Sequence, residues 1–451
     1  MKFDLVIKNA LIVNHNGTKR ADIGVKGEKI EKIGTITESA KFEIPGESRI
    51  VFPGIIDPHT HMGIPMMDTF SVDNFKTGSY AAAHSGVTTI IDFTVQNPGD
   101  TLITSFERRK HEARISYIDF AFHINITEFY NGFLDDMERV AEKGARSFKV
   151  FFAYSFKIPD ELFLKVQEKT KEINALTLLH AENGAIIDYL IKRNIERGHT
   201  SPPYHGISRP VFTEEDAVQR AILITEYAKS SLYIVHMTSK RGLMRVEEAR
   251  KRKVRVFAET CPQYLYFTDD AYRRPDGHYF IASPPLRKKE DVEYLWEKIK
   301  DGTMDTIGTD HAPFTKEQKD RYGGAFHKTP NGLSVIEFSM PSIFTKVIEK
   351  KLPITTIARL MSYNPAKIFG LEGKGEIKEG ADADLVIVDP SYKKKVAPPY
   401  KSVSDISPFE GLTLRGIPEF VILRGKFLIK EYLFVGHDVK GKYLEQKIGF
   451  N

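Results

Sequence analysis

Between residues 54 and 307 short apolar runs alternate with longer amphipathic stretches, and this alternation restricts the possible folds more than any other feature of the chain. Runs at 54–57, 88–93, 118–124, 147–152, 176–179, 232–235, 254–258 and 305–307 predict strands. The segments between them, such as 160–173 and 242–252, carry apolar residues at helical spacing. Strand and helix in turn mean βα units and a parallel sheet. Eight such units over about 250 residues predict an α/β fold of the (β/α)8 TIM-barrel type. An open doubly wound sheet is the alternative, and the absence of Gly-x-Gly-x-x-Gly after the first strand disfavours it.

Outside this region the texture changes. Residues 4–13, 21–25 and 29–33 read as short strands with a turn at 15–17, and strands return at 383–388, 420–423 and 426–429. Neither end is large enough for a sandwich of its own, so the two are expected to join into one smaller β-sandwich domain. The expected division is 1–51 and 373–430 for that domain and 52–372 for the barrel. Residues 431–451 form a tail that could reach a neighbouring subunit or pack on its own β domain. Residues 199–213, with Pro202, Pro203 and Pro210, predict a long irregular connection at the barrel mouth. Lys393, Lys394 and Lys395, followed by Ala-Pro-Pro, predict a solvated loop.

Composition removes several function classes. The 65 basic and 60 acidic residues are interspersed, without the concentrated basic face of a nucleic-acid binder. No apolar run approaches the roughly 18 residues of a membrane helix. Charge interrupts the first eight residues too early for a signal-peptide core. Cys261 is the single cysteine, so no intrachain disulfide forms. The expectation is a soluble cytoplasmic protein that acts on a small molecule.

The chemistry sits where the strands end. Asp57-Pro58-His59-Thr60-His61 closes the first run, and side chains at i and i+2 share one face of a strand. His180 ends the fifth run, His236 the sixth and Asp310 the eighth. Ligand-type residues at four strand ends of one barrel point to a metal site at its C-terminal rim. Lys149 lies inside Ser147-Phe148-Lys149-Val150-Phe151-Phe152, a run otherwise fit for burial. Either it snorkels to the rim or pairs with a carboxylate, or dehydration leaves a neutral, reactive amine. Cys261 reads as a buried thiol, Glu182 as a supporting group, and His123 and His311 as residues that orient ligands.

These segments, together with Glu259-Thr-Cys-Pro-Gln-Tyr, Ser283-Pro-Pro-Leu-Arg and Ser407-Pro-Phe-Glu-Gly, resemble the amidohydrolase superfamily, and within it the dihydropyrimidinase and D-hydantoinase family. The likeness runs over nearly the whole chain. It implies two divalent ions, Zn2+ or alternatively Mn2+ or Co2+, with His59, His61 and Asp310 on one and His180 and His236 on the other. It also implies that CO2 carboxylates Lys149 and that the carbamate bridges the ions. Asp310 would be the proton-transfer residue, Tyr154 the donor to the developing oxyanion, and Ser283 and Asn331 the contacts to the substrate amide. Family members are commonly homotetramers. The implied reaction is hydrolysis of a cyclic amide or ureide, a dihydropyrimidine or a 5-substituted hydantoin. Allantoinase and dihydroorotase relatives usually carry Asn or Arg after the first two histidines, whereas this chain reads Met62-Gly63-Ile64-Pro65-Met66-Met67-Asp68. Nothing there clamps a carboxylate. The family often has Pro-Phe-(Met/Gly)-Gly at 65–68, a departure that leaves side-chain preference and enantioselectivity open. Non-catalytic scaffold relatives lose metal ligands, and here all of them stand.

Overall fold

A computed structural model describes residues 2–449. Numbering the barrel strands in chain order, these are β1 (Ile55–Thr60), β2 (Val87–Phe93), β3 (Asp119–Asn125), β4 (Ser147–Phe151), β5 (Leu176–His180), β6 (Ser231–Ile234), β7 (Arg255–Thr260) and β8 (Thr306–Ile307). They form one eight-stranded sheet in sequential order, and every pairing between them is parallel. β2 is buried at every position, as a strand covered on both faces must be. The sheet closes on itself through the residues that follow β8: Asp310 N–H donates to the His59 carbonyl at 2.9 Å and His61 N–H to the His311 carbonyl at 2.9 Å.

The barrel interior is filled by Ile56, Ile91, Ala121, Leu176, Leu178, Tyr233 and Val235, joined by Phe369, Leu371 and Ile448. A larger apolar layer, including Phe122, Phe148, Val150, Phe163, Val218 and Leu243, lies between the sheet and the surrounding helices. With its middle filled, the barrel offers room at the strand ends.

Both chain ends meet in a second, nine-stranded sheet. The joint is the antiparallel pairing of Leu385–Val388 with Ile50–Pro53, with Leu385 opposite Pro53 and Val388 opposite Ile50. Leu5, Ile12, Ile23 and Val51 from one end pack with Leu385, Ile387, Phe420 and Ile422 from the other. Beyond it the tail returns to the barrel, where Tyr443 stacks on Phe122 with ring centroids 6.0 Å apart and Gln446 Oε1 accepts from Arg146 N–H at 2.7 Å.

Two local expectations change. The connection at 199–213 is not irregular throughout: Pro203–Ser208 is a short helix, because proline at a first helical turn loses no hydrogen bond. Lys393–Lys395 is solvated but is no loop, since it pairs antiparallel with Thr413–Arg415. Among the described residues no helix is long and apolar enough to cross a membrane.

Candidate active site

Strand alternation decides which side chains face inward. Phe148 and Val150 belong to the outer apolar layer, so Lys149 between them points into the barrel. On β5, Leu176 and Leu178 fill the interior and His180 continues their face. The other ligand-type residues depart from simple alternation. Tyr233 and Val235 are interior, which would turn His236 away; its backbone instead takes φ 40° and brings the ring within 3.0 Å of His180. On β1 the register shifts between Asp57 and Thr60, after which His59 and His61 both line the cavity. Asp310 at φ 52° and Tyr154 at φ 71° also sit in the left-handed region. Such conformations cost about 1–3 kcal/mol each and collect at functional sites.

The hydrogen bonds show which ring nitrogens are taken up by supporting carboxylates and which face the centre of the cavity. His59 Nδ1 lies 2.6 Å from Glu259 Oε1, and a buried carboxylate only accepts, so Nδ1 carries a proton and Nε2 is directed at Asp310. His59 Nε2 is 3.1 Å and His61 Nε2 2.9 Å from the same oxygen, Asp310 Oδ1. His180 repeats the arrangement: Nε2 lies 2.8 Å from Glu182 Oε2, leaving Nδ1 facing His236 Nε2 at 3.0 Å. The remaining nitrogens of His61 and His236, their Nδ1 atoms, are buried without a partner.

Ring nitrogens crowd one another and a single carboxylate oxygen here, an arrangement that a cation placed among them would satisfy. Without a cation, Glu259 and Asp310 outweigh the burial that disfavours charge on His59 and lift that imidazole to about 9, so its Nε2 proton faces Asp310 where an ion would otherwise sit. Burial holds His61, His180 and His236 below the ordinary histidine range, as neutral rings with a lone pair to give. The donor atoms of His59, His61 and Asp310 lie within 4.8 Å of one another, and these nitrogen and oxygen donors fit a hydrolytic Zn, Mn or Co ion. Lys149 is 2% exposed, and burial pushes its amine down to about 7 despite the opposing pull of Glu259 and Asp310. Lys149 therefore neither snorkels to the rim nor reaches bulk solvent, and burial favours its neutral form.

All nine residues singled out from the sequence line one cavity of about 340 Å3: the four histidines, Lys149, Tyr154, Ser283, Asp310 and Asn331. The Tyr154 ring packs 4.9 Å from His180, and burial raises its hydroxyl pKa, keeping it protonated as a donor. Ser283 Oγ donates to Asn331 Oδ1 at 3.3 Å, so these two adjoin. Ile64, Pro65, Met66 and Met67 form one wall, with Phe151 and Phe156 among the other apolar lining residues; none of the described lining residues is an arginine.

Sequence reasoning gave Glu259 no role, although it ends the β7 run as Asp310 follows β8. Besides His59 it holds the His236 backbone N–H at 3.0 Å and the Tyr233 hydroxyl at 2.8 Å. Arg209 was also missed; its guanidinium donates to Glu182 Oε2 at 2.7 Å. Asp57 accepts from Thr309 N–H and Oγ and from His59 N–H, bracing the barrel closure. Glu182 supports His180 as expected, and Cys261 is buried and free. His123 and His311 contact no ligand-type side chain directly: His123 bonds Ser147 and the Pro58 carbonyl, and His311 bonds Asp73 and accepts from Val335 N–H.

Comparison with known proteins finds the same pattern over the whole chain. The model of the amidohydrolase family matches residues 50–428, and that of the urease alpha-subunit N-terminal domain matches residues 1–43. A D-hydantoinase of Geobacillus stearothermophilus is 39% identical over 452 residues, covering 98% of this chain and 96% of that protein. A solved D-hydantoinase superposes with a TM-score of 0.97 at 36% identity, covering 99% of both chains. The dihydropyrimidinase of Brevibacillus agri superposes with a TM-score of 0.96 at 36% identity, again over 99% of both chains.

Proposed function

The chain belongs to the amidohydrolase family, and within it to the hydantoinase and dihydropyrimidinase group; from that premise we propose that it opens the ring of dihydropyrimidines or 5-substituted hydantoins by metal-dependent hydrolysis of a cyclic amide bond. The supporting observation is the convergence of four imidazoles on Asp310 and on each other, beside a buried lysine, in one cavity.

His59, His61 and Asp310 would hold one divalent ion, and His180 and His236 the other. A neutral Lys149 amine would add to the carbon of CO2: its lone pair forms the N–C bond, one C=O pair moves onto oxygen, and a proton leaves to solvent, so that the resulting carbamate would complete the ligand set. When bound, Zn2+, Mn2+ or Co2+ would supply Lewis acidity that makes water acidic near neutral pH and polarises the ring carbonyl. The chain's own groups do the rest. Asp310 takes a proton from the attacking water and returns it to the ring nitrogen as the C–N bond breaks. The Tyr154 hydroxyl donates to the carbonyl oxygen as charge builds there. Ser283 and Asn331 hold the ring amide. With no arginine on the cavity wall and methionine, proline and phenylalanine in its place, a small or apolar ring substituent suits the site. A hydantoin opened this way yields an N-carbamoyl amino acid.

The test is a substrate panel with the metal-loaded enzyme: dihydrouracil, dihydrothymine, hydantoin, 5-substituted hydantoins, allantoin and dihydroorotate. The highest kcat/KM is expected among the dihydropyrimidines and hydantoins. Preference for allantoin or dihydroorotate, or no turnover with metal bound, overturns the reading. Native intact mass should show one added CO2 that a Lys149→Met variant lacks.

A further inference from the structure

The short helix Lys316–Asp320 takes no part in the chemistry above, yet it touches two separate walls of the cavity. Lys319 is 1% exposed and has no charged partner among the described residues, an arrangement a buried ammonium rarely adopts. Its Nζ donates to the Ile281 carbonyl at 2.9 Å, and the same oxygen accepts from Gly332 N–H at 3.0 Å. Ile281 lies two residues before Ser283, and Gly332 directly follows Asn331. One carbonyl therefore joins the two segments that carry the substrate-amide contacts, and Lys319 holds it. The next carbonyl, Ala282, accepts from buried His205 Nε2 at 2.7 Å, so the approach to Ser283 is fixed on both sides.

The helix also grips the opposite wall. Gln318 Nε2 donates to Thr69 Oγ at 2.6 Å and to the Phe70 carbonyl at 3.0 Å, in the loop that bears Met66 and Met67. Just past the helix, Tyr322 bonds Asp68 of that loop. A capping box between Thr315 and Gln318 makes the short helix rigid enough to carry both attachments.

We propose that Lys319 is a positioning residue for the ring amide, acting through the Ile281 carbonyl, and that Gln318 ties the substituent wall to the same helix, so that ring binding and substituent preference share one support. The proposal rests on the ring-opening function above. The geometry explains why a lysine is buried there without a counter-charge: its requirement is a carbonyl to hold, and burial pushes its amine down to about 7, which lessens the charge it must shed.

The test uses the full-length, metal-loaded enzyme, with hydantoin and a bulky 5-substituted hydantoin as paired substrates. Lys319→Met keeps the buried volume while removing the donor. It should raise KM for both substrates about tenfold, the size of one lost buried hydrogen bond, with kcat and metal content unchanged. Lys319→Arg should restore part of that loss. Gln318→Ala, at a partly exposed position, should raise KM for the bulky substrate about threefold and leave hydantoin unaffected, a difference of well under 1.4 kcal/mol. An unchanged KM in Lys319→Met, or an equal loss in kcat for both substrates, overturns the positioning role. Should Lys319→Met fail to fold, an unaltered substrate ratio in Gln318→Ala overturns the shared support. A wild-type enzyme that opens neither ring refutes the function itself, a different outcome from either.

Discussion

At the His59 side of the centre, the carboxylate behind the imidazole is Glu259, and its other partners are neutral donors, the Tyr233 hydroxyl and the His236 backbone N–H. At the His180 side the carboxylate is Glu182, and it shares its oxygen with the buried Arg209 guanidinium. Each carboxylate fixes a tautomer, though opposite ones: it takes up Nδ1 of His59 and Nε2 of His180. They differ in their surroundings. Arg209 pairs with Glu182 near the second pair of histidines, whereas neither arginine nor lysine is among these partners of Glu259 near the first. Through the His236 backbone, Glu259 also reaches across to the other half. Similar supports thus carry unequal electrostatics: by the proposed ligation, the His59 half would hold a cation more firmly than the His180 half, where Tyr154 lies.

The largest effect should come from the proton carrier on the firm half. Asp310→Asn should cost about 10²–10⁴ in kcat and, because the same carboxylate is a proposed metal ligand, lower the melting temperature in metal; near-normal turnover would remove it as the base. On the loose half, Tyr154→Phe should lower kcat by about 10²–10³ with KM nearly constant; a change in KM alone would deny the tyrosine its role in the transition state. Metal content then probes the asymmetry itself. Glu259→Gln should weaken metal binding about 10–100-fold, affecting both equivalents because it also holds His236. Glu182→Gln should weaken one equivalent only, by about tenfold, and elemental analysis after dialysis against graded chelator should find the other retained. Loss of both ions together from the wild-type enzyme would contradict the unequal halves.

The barrel and the rim residues were legible because the relevant signals are local. An apolar run followed by histidine or aspartate marks a strand and its end, and the eight runs place β1 to β8 within a few residues of their observed bounds. The partners of those residues were not legible. Glu259 meets His59 across 200 positions, and Arg209 meets Glu182 from a proline-rich connection that gave no helical pattern. His236 was found by its place after an apolar run, but alternation alone would have turned it the wrong way, since the φ of 40° that rescues it leaves no mark in the sequence. Lys149 stayed ambiguous for the opposite reason. Its alternation was readable, and whether a lysine in such a run is neutral depends on the burial supplied by neighbouring strands.

Thr309 donates to Asp57 across 252 positions of chain, and Asp310 and His61 complete the junction between the last strand and the first. By the proposed ligation, His59, His61 and Asp310 would then form a staple across one of the longest loops in the molecule, and fastening such a loop removes much disorder from the unfolded chain. Free metal would act as a thermal stabiliser, raising the melting temperature with the logarithm of its concentration. Chelation would remove that staple, so the metal-free chain should part at this seam at a lower temperature than the metal-loaded one.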